Sequence, residues 1–282
     1  MQGNGPHEML EEAVSELYDG SLPGKLPSRW ELFSDVAIMP RGSFEGPDWA
    51  QDEALWETVA RALGVERLAR MGEVSGEFRE SGVEMLLGED DWVVRRESGV
   101  DYGYAMTRCM FSAGNVNERR RMGEVAGGGE VIVDLYAGIG YYTLPALVHG
   151  GASVHACEWN PEAARALRWG LEANGVEGRC VVHEGDNRVT AESLEGAADR
   201  VILGLLPSSE EGLGAALRVL AHGGGTLHVH GLAPSKGHAP WVTGVLSHVS
   251  DARPGSTIGH ALTRVKSYAP HWDHVVLDIS VA

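Results

Sequence analysis

The sequence predicts an α/β fold in which a doubly wound, mostly parallel β-sheet follows a smaller N-terminal α+β domain. After Glu130, apolar strand-like segments alternate with helical patterns, and such alternation is typical of a parallel sheet with helices on both faces. Before Glu130 the segments are short and mixed. With 282 residues and 43% apolar content, the chain is long enough for one large domain and one smaller domain.

The expected boundaries divide the chain into a flexible N-terminal segment, a small domain and a large domain, at residues 1–25, 26–115 and 116–282. In the small domain, DVAIMP and VEMLLG read as strands. DEALWETVARALG reads as an amphipathic helix that Asp52 caps and Gly64 ends. WVVRRESGVDYGYAM predicts a hairpin that turns at residues 97–99. GNVNERRRMGEVAG predicts a connecting helix, with Asn115 as its cap.

In the large domain, helical patterns lie between most of the five strand-like segments. These segments are VIVDLY, SVHACEW, RCVVHEG, DRVILGLL and GTLHVHGL. The tail, SYAPHWDHVVLDISVA, predicts one more strand, at an edge or as an antiparallel insertion.

Charge and cysteine content narrow the possible functions. The net charge of −17 argues against a general nucleic-acid binder. Three places are candidates for local basic patches: Arg95–Arg96, Arg119–Arg121, and the pair Arg264 and Lys266. The alternative for each is solvated surface charge. No run of 18 apolar residues and no secretory layout is present, so no membrane association is expected. The cysteines are scattered without CxxC spacing, which indicates a reduced, cytoplasmic setting.

Asp134 closes the first strand of the large domain, and a small-residue turn follows it. In VIVDLYAGIGYYTLPAL, Gly138 and Gly140 stand between this acid and a helical pattern. Glycines there let the backbone pass close to a ligand. The order DxxAGxG differs from the GxGxxG of dinucleotide binders and is similar to the first motif of class I enzymes that use S-adenosylmethionine (SAM). The alternative is an ordinary βα turn with glycines for close packing.

Two further acids continue this series in order along the chain. Glu158 ends the second strand about 20 residues after the glycines, where a carboxylate accepts both ribose hydroxyls of a nucleotide. Asp186 and Asn187 follow the third strand, where they can hydrogen-bond an adenine. The alternatives are a helix-capping acid at Glu158 and an Asx turn at Asp186. The series favours a SAM-binding, Rossmann-like domain.

The loop after the fourth strand-like segment bears on the type of reaction, and the histidines bear on metal binding. In ILGLLPSSEEG, residues 205–209 replace the Asn-Pro-Pro-Tyr type of motif that many SAM enzymes acting on nucleobase nitrogen carry. His228 and His230 share one face of a strand, but metal binding needs three or four converging ligands, so no metal site is expected. His274 and His271 are expected to order the C-terminal strand. No general base or other catalytic residue is identifiable.

These motifs together resemble the tRNA wybutosine-synthesizing protein 2 family, from about Leu26 to the end of the chain. The resemblance rests on LPSRWELFSDVAIMP, LWETVARALGVERLAR, RCMFSAGNVNERRR, VDLYAGIGYYTLP, HACEWNPEA, GDNR, DRVILGLLPSSEEG and VKSYAPHWDHVVLD. MFSAGN and LGLLPSSEEG are its specific blocks, whereas the AGIG block is shared with the tRNA guanine-N1 methyltransferases of the same superfamily.

The resemblance implies transfer of a 3-amino-3-carboxypropyl group from SAM to the tricyclic modified guanosine beside the anticodon of phenylalanine tRNA, a step of wybutosine biosynthesis. It implies SAM contacts at Ser112, at Arg119 (usually Lys in the family), at Glu158, and at Asp186 with Asn187. Family members often carry an additional N-terminal region that grips tRNA, and little of this chain precedes Trp30. Since the chain is acidic, extra tRNA affinity is expected from a partner or a fused domain.

Two alternatives remain open at the level of sequence. One is methylation of guanine N1 in the same tRNA, against which LGLLPSS and MFSAGN argue. The other is a catalytically silent SAM-fold module that binds RNA or a protein partner. The intact series from Asp134 to Asp186 argues against a silent module, because a module without a cofactor has no use for that order.

Overall fold

The computed structural model describes residues 5–74, 76 and 81–282. The chain forms two compact units. The first comprises the residues up to Arg95 together with 104–111, and the second comprises residues 96–103 and 112–282. Within the described residues, no helix is long and apolar enough to cross a membrane.

The first unit is a four-stranded sheet with two helices. Its elements are α1 (Pro6–Leu17), β1 (Glu31–Phe33), β2 (Val36–Met39), α2 (Glu53–Leu63), β3 (Arg67–Arg70) and β4 (Glu84–Leu87). The strands lie in the order β1-β2-β3-β4, and β2 and β3 run parallel. Asp52 accepts the Leu55 N–H at 3.0 Å, and Gly64 ends α2 with φ +67, so the predicted start and end of this helix are confirmed.

A hairpin follows, formed by β5 (Trp92–Glu97) and β6 (Val100–Ala105). Its two turn residues, Ser98 and Gly99, have φ of +51 and +82. Positive φ at both central residues is the geometry that matches the right-handed twist of paired strands. The predicted hairpin is thus confirmed at the position that the glycine indicated.

The second unit contains a seven-stranded sheet. Its elements are α3 (Val116–Val125), β7 (Val131–Asp134), α4 (Thr143–Pro145) with a π-helical continuation (Ala146–Gly150), β8 (Ser153–Glu158), α5 (Pro161–Ala173), β9 (Cys180–Glu184), α6 (Asn187–Thr190), β10 (Arg200–Leu203), α7 (Leu213–Val219), β11 (Gly225–Pro234), α8 (Ala239–Ala252), β12 (Ile258–Ala269) and β13 (Trp272–Val281). Asn115 precedes α3 but its side chain makes no capping hydrogen bond.

The strand order is β12-β13-β11-β10-β7-β8-β9. Strands β7 to β11 pair in parallel with their neighbours, and β13 lies antiparallel between β11 and β12. This confirms the predicted doubly wound, mostly parallel sheet and the antiparallel insertion of the tail. Strand β12 is not among the predicted elements, because its sequence lacks a continuous apolar pattern. In the structure its register with β13 shifts at Arg264/Lys266 and Ser267/Ala269.

From β7 the chain first adds β8 and β9 on one side of the sheet and then β10 and β11 on the other side. The strand order therefore reverses at β7. In open parallel sheets, ligands bind in the crevice outside the carboxyl ends of the strands at this switch point. The residues that follow β7, β8 and β10 are therefore the first place to look for a site.

Candidate functional site

Asp134 lies at the carboxyl end of β7 and is fully buried. Its Oδ2 accepts a hydrogen bond from Thr143 Oγ1 at 2.8 Å, and its Oδ1 accepts one from the Tyr136 N–H at 3.3 Å. Burial raises the pKa of this carboxyl to about 7, against the lowering effect of the Thr143 and Tyr136 hydrogen bonds. The acid thus ties the end of the strand to the start of the following helix and fixes the loop between them.

Glu158 ends the neighbouring strand β8 and reaches the same loop. Its Oε2 accepts the Gly138 N–H at 2.6 Å and its Oε1 accepts the Asn160 N–H at 2.8 Å. Burial raises its pKa. The backbone N–H of Trp159 also bonds this carboxylate, and since a carboxylate offers about four acceptor positions, it keeps capacity for a ligand hydroxyl.

Gly138 is required for this contact by conformation and by space. Its φ is +58, and a Cβ at this position would come within 2.6 Å of the Tyr141 ring. Gly140 has φ +97 and is packed as tightly as Gly138, since a Cβ there would come within 2.7 Å of Leu144 Cγ. The two glycines form a tight turn that brings a backbone N–H onto the Glu158 carboxylate.

Asp186 and Asn187 follow β9 and have different roles. Asp186 caps α6 by accepting the Arg188 N–H at 2.9 Å, and it also pairs with the Arg188 guanidinium, whose Nε lies 2.9 Å from Oδ2. The Arg188 hydrogen bond lowers the pKa of Asp186. Asn187 is buried and donates its amide N–H to the Leu135 carbonyl at 2.7 Å. Asn187 therefore holds the ends of β9 and β7 together.

The loop after β10, residues 204–209, packs back onto β11. The Pro207 carbonyl accepts the Leu232 N–H at 3.0 Å, and Ser209 Oγ donates to the His230 carbonyl at 2.7 Å. A Cβ on Gly204 would come within 2.8 Å of the Tyr142 ring. This loop contains no side-chain amide, and the Ser209 hydroxyl is bonded to the backbone of a neighbouring strand.

Tyr142 lies between the carboxyl end of β7 and a buried histidine pair. Its hydroxyl is 3.4 Å from His230 Nδ1, and that nitrogen is 3.0 Å from Nε2 of His274. Burial raises the pKa of Tyr142, and the charges of Glu118, Arg119 and Asp134 all act on it. Burial lowers the pKa of both histidines, that of His274 to about 4. His274 thus packs as a neutral, buried residue within β13. Among the described residues, no group of three or more possible ligands could hold a metal ion.

Ser112 and Arg119 meet around α3. The Arg119 side chain is almost fully buried and donates from Nε and Nη2 to the two carboxylate oxygens of Glu97, at 2.6 and 2.7 Å. Its Nη1 donates to the Ser112 carbonyl at 2.9 Å. Lys266 Nζ, from β12, donates to Ser112 Oγ at 2.9 Å. Burial, together with the charge of Arg119, lowers the pKa of Lys266. We call these four residues the cationic cluster.

The run Arg119–Arg121 is therefore not one basic surface patch. Arg120 is exposed and only 3.6 Å from the exposed Glu124, which is a weak surface pair. Arg121 bridges Glu118 and Asp278, with nitrogen–oxygen distances of 2.7 and 2.6 Å. Of the three arginines, only Arg120 is exposed to solvent, as a basic surface patch would require.

The sequence predicts the acids and glycines of this region but does not single out three further residues: Lys266 and Glu97, which contact Ser112 and Arg119, and Trp159. Lys266 was considered only as part of a surface patch, and Glu97 only as the start of a turn. Trp159, which follows Glu158, is 43% exposed, an unusual exposure for a large aromatic residue at a strand end. Its position directly after the ribose-type acid was the signal that could have indicated a ligand contact.

The comparisons with known proteins agree along the whole chain. A family model for the TYW2 N-terminal domain matches residues 9–91, and one for the TRM5/TYW2 methyltransferase domain matches residues 93–241. A tRNA wybutosine-synthesizing protein 2/3/4 of Arabidopsis thaliana is 44% identical over 284 residues, which cover 96% of this chain and 28% of that protein. A tRNA wybutosine-synthesizing protein 2 homolog of Rattus norvegicus is 41% identical, covering 92% of this chain and 72% of that protein.

Among solved structures, P. horikoshii TYW2 in complex with MeSAdo superposes with a TM-score of 0.79 at 30% identity, covering 96% of this chain and 98% of that one. The chain spans little more than a quarter of the length of the Arabidopsis relative, at 28%, and about half of a Homo sapiens relative, at 53%.

Proposed function

This chain belongs to the tRNA wybutosine-synthesizing protein 2 family, and we propose that it transfers the 3-amino-3-carboxypropyl group of SAM to the tricyclic modified guanosine beside the anticodon of phenylalanine tRNA. It is thus a SAM-dependent transferase in wybutosine biosynthesis. The observation that carries the proposal is the arrangement of Asp134, Gly138 and Glu158 at the switch point of the sheet, held together by the hydrogen bond from Gly138 to Glu158.

The residues present at this edge fit the nucleoside part of SAM. The Glu158 carboxylate, at the end of β8, suits a ribose diol, because a carboxylate can accept several hydrogen bonds at once. Asp186 is a partly exposed carboxylate at the end of β9, which suits the amino group of an adenine. Asn187 keeps that strand end against β7 through its bond to Leu135. The partly exposed Trp159 supplies an aromatic face beside them.

The methionine part of SAM would face Ser112 and Arg119. Ser112 precedes α3 and Arg119 lies on it, and α3 packs against α4, whose Thr143 bonds Asp134 at the nucleoside edge. When bound, SAM supplies an electrophilic carbon next to its sulfonium, and methylthioadenosine leaves. The task of the protein's own side chains is then to orient this arm, because the carbon that reacts is the one in line with the nucleophile.

The loop after β10 supports alkylation of a ring carbon over methylation of a ring nitrogen. Residues 205–209 offer no side-chain amide that could hold a nucleobase nitrogen, and Ser209 is bonded to the backbone of β11. A ring carbon of an electron-rich base needs no deprotonation before attack, and its proton leaves to solvent afterwards. Positioning, and not acid–base catalysis, is the protein's expected contribution.

The tRNA partner and the compartment belong to the same proposal. A relative's family role in tRNA modification supports tRNA as the substrate, and we propose that the anticodon loop of phenylalanine tRNA is the part bound. The net charge of −17 makes a partner or a fused domain the expected source of additional tRNA affinity. Three free cysteines are compatible with a reduced cytoplasmic setting.

Product analysis tests the proposal. The protein is incubated with tRNA that bears the tricyclic precursor and with SAM labelled either in its methyl group or in its carboxypropyl arm. Label from the carboxypropyl arm is expected in the tRNA, with methylthioadenosine released. Transfer of the methyl label instead would replace the proposal by guanine-N1 methylation. No transfer and no thermal shift with saturating SAM would favour a silent module.

A further inference from the structure

Lys266 is a partly buried cation that no carboxylate of the described residues pairs with. Its ammonium donates to Ser112 Oγ at 2.9 Å, and within the described part of the chain no carboxylate oxygen lies within the 4.0 Å of an ion pair. An ammonium group has three N–H donors, so two are left for another acceptor. A buried charge without a partner is costly, which makes this position suited to an anion.

Arg119, the neighbouring cation, is less suited to bind an anion, because its own N–H donors already have acceptors in the protein. The Nε and Nη2 atoms of Arg119 are both directed at the Glu97 carboxylate, and Nη1 is directed at the Ser112 carbonyl. Arg119 therefore has its countercharge inside the protein, whereas its positive charge acts on Lys266. An anion beside Lys266 would gain from both cations while displacing neither Glu97 nor the backbone contact.

Ser112 adds a directed donor at the same point. Because its Oγ accepts the Lys266 N–H, its own O–H is left to donate. The backbone beside it leaves little space, since a Cβ on Gly114 would lie 3.0 Å from Lys266 Nζ. The serine hydroxyl and the ammonium, 2.9 Å apart, are close enough to donate to one small acceptor group. Paired donors of this kind suit a carboxylate.

We propose that Lys266, together with Ser112, binds the methionine carboxylate of SAM and so sets the orientation of the aminocarboxypropyl arm. This assignment rests on the proposed function and names the residue that positions the transferred group. Lys266 is a positioning residue and takes no part in bond making. Its chain position, on β12 and 154 residues from Ser112, explains why no motif around the glycine turn contains it.

Comparing the binding of three ligands isolates the contribution of the SAM carboxylate to affinity. Calorimetry on the full chain compares SAM, decarboxylated SAM, which lacks only the carboxylate, and methylthioadenosine, which lacks the whole arm. Lys266→Met is expected to weaken SAM binding about 10- to 100-fold, the usual range for losing a hydrogen bond to a charged group. It should change the binding of the other two ligands less than about threefold. Lys266→Arg should recover part of the SAM affinity.

Two further variants provide a second test and a control. Ser112→Ala is expected to give the same selectivity with a smaller loss, about 3- to 10-fold, and serves if Lys266→Met folds poorly. Lys236→Met, on an exposed loop, is the matched control and should bind all three ligands like the parent.

Different failures separate the assignment from the function. Equal losses for SAM and decarboxylated SAM would overturn the Lys266 assignment while leaving the proposed function intact. Unchanged SAM affinity combined with weaker tRNA binding would also overturn it, and would assign Lys266 to a tRNA phosphate. A parent chain that binds neither SAM nor methylthioadenosine would overturn the proposed function and the assignment together.

Discussion

The two ends of the proposed SAM site are built in different ways. At the nucleoside end, the carboxylates follow adjacent parallel strands and hold backbone N–H groups nearby in the chain, as Glu158 holds Gly138 20 residues away. At the methionine end, the cationic cluster joins side chains from distant segments, 154 residues apart for Ser112 and Lys266. The first end follows from the topology of the sheet, whereas the second depends on how β12 and α3 meet.

Charge differs between the ends as well. The nucleoside end contains buried carboxylates, and burial raises the pKa of both Asp134 and Glu158. The methionine end contains two cations, one of which has an internal countercharge in Glu97. Removing Arg119 from its buried ion pair should therefore affect folding as well as binding, whereas the main expected effect of removing Glu158 is on ligand binding.

The largest expected effect is on stability at the methionine end. Arg119→Met leaves the largely buried Glu97 carboxylate without its partner, and removing one member of a buried ion pair typically costs about 3–5 kcal/mol. The free energy of unfolding, measured by urea denaturation, should fall by that amount. Arg120→Met, one residue along and exposed, is the control and should stay within about 0.5 kcal/mol of the parent.

A double variant shows whether the pair is the cause. Arg119→Met combined with Glu97→Gln should recover part of the lost stability, because no buried charge is then left unpaired. A loss below about 1 kcal/mol for Arg119→Met would mean that the ion pair does not support this end of the site.

The next largest effect is on ligand affinity at the nucleoside end. Glu158→Ala removes the proposed acceptor of two ribose hydroxyls, and bonds to a charged group contribute about 1.5–3 kcal/mol each. SAM and methylthioadenosine should therefore both bind at least about 100-fold more weakly in calorimetry. Glu162→Ala, at the exposed start of α5, should leave both affinities unchanged. If SAM binding alone weakened, Glu158 would belong to the methionine end instead.

The same contrast explains what could be predicted from sequence. At the proposed nucleoside end, the grouping of the acids and glycines follows from the sequence, because an acid, a glycine turn and two later acids occur in chain order and the parallel sheet brings strand ends together in that order. The confirmed hairpin turn at Ser98–Gly99 and the caps of α2 at Asp52 and Gly64 are local in the same way. Each follows from the conformational preferences of a few adjacent residues.

At the methionine end the family resemblance names Ser112 and Arg119, but their contacts with Glu97 and Lys266 could not be predicted, because these partners are adjacent only in space. The sequence of β12 has no regular alternation of apolar and polar residues, so it does not predict a strand, and Lys266 then reads as surface charge. Three consecutive arginines looked solvated, yet Arg119 is 1% exposed because the Glu97 carboxylate matches its two donors. Burial of a charge depends on a partner that sequence spacing does not reveal.

The smallest expected effect concerns competition within the nucleoside end. The Asp186 carboxylate is already engaged by the backbone N–H and the guanidinium of Arg188, and an adenine amino group would have to share it. Arg188→Ala should therefore leave the affinities for SAM and methylthioadenosine equal to the parent's or raise both about two- to threefold, since an exposed ion pair contributes little. Arg165→Ala, which removes another exposed ion pair, the one with Glu162 on α5, is the matched control. A loss of more than about fivefold for both ligands would instead make Arg188 part of the binding surface, and the guanidinium would then act on the ligand and not against it.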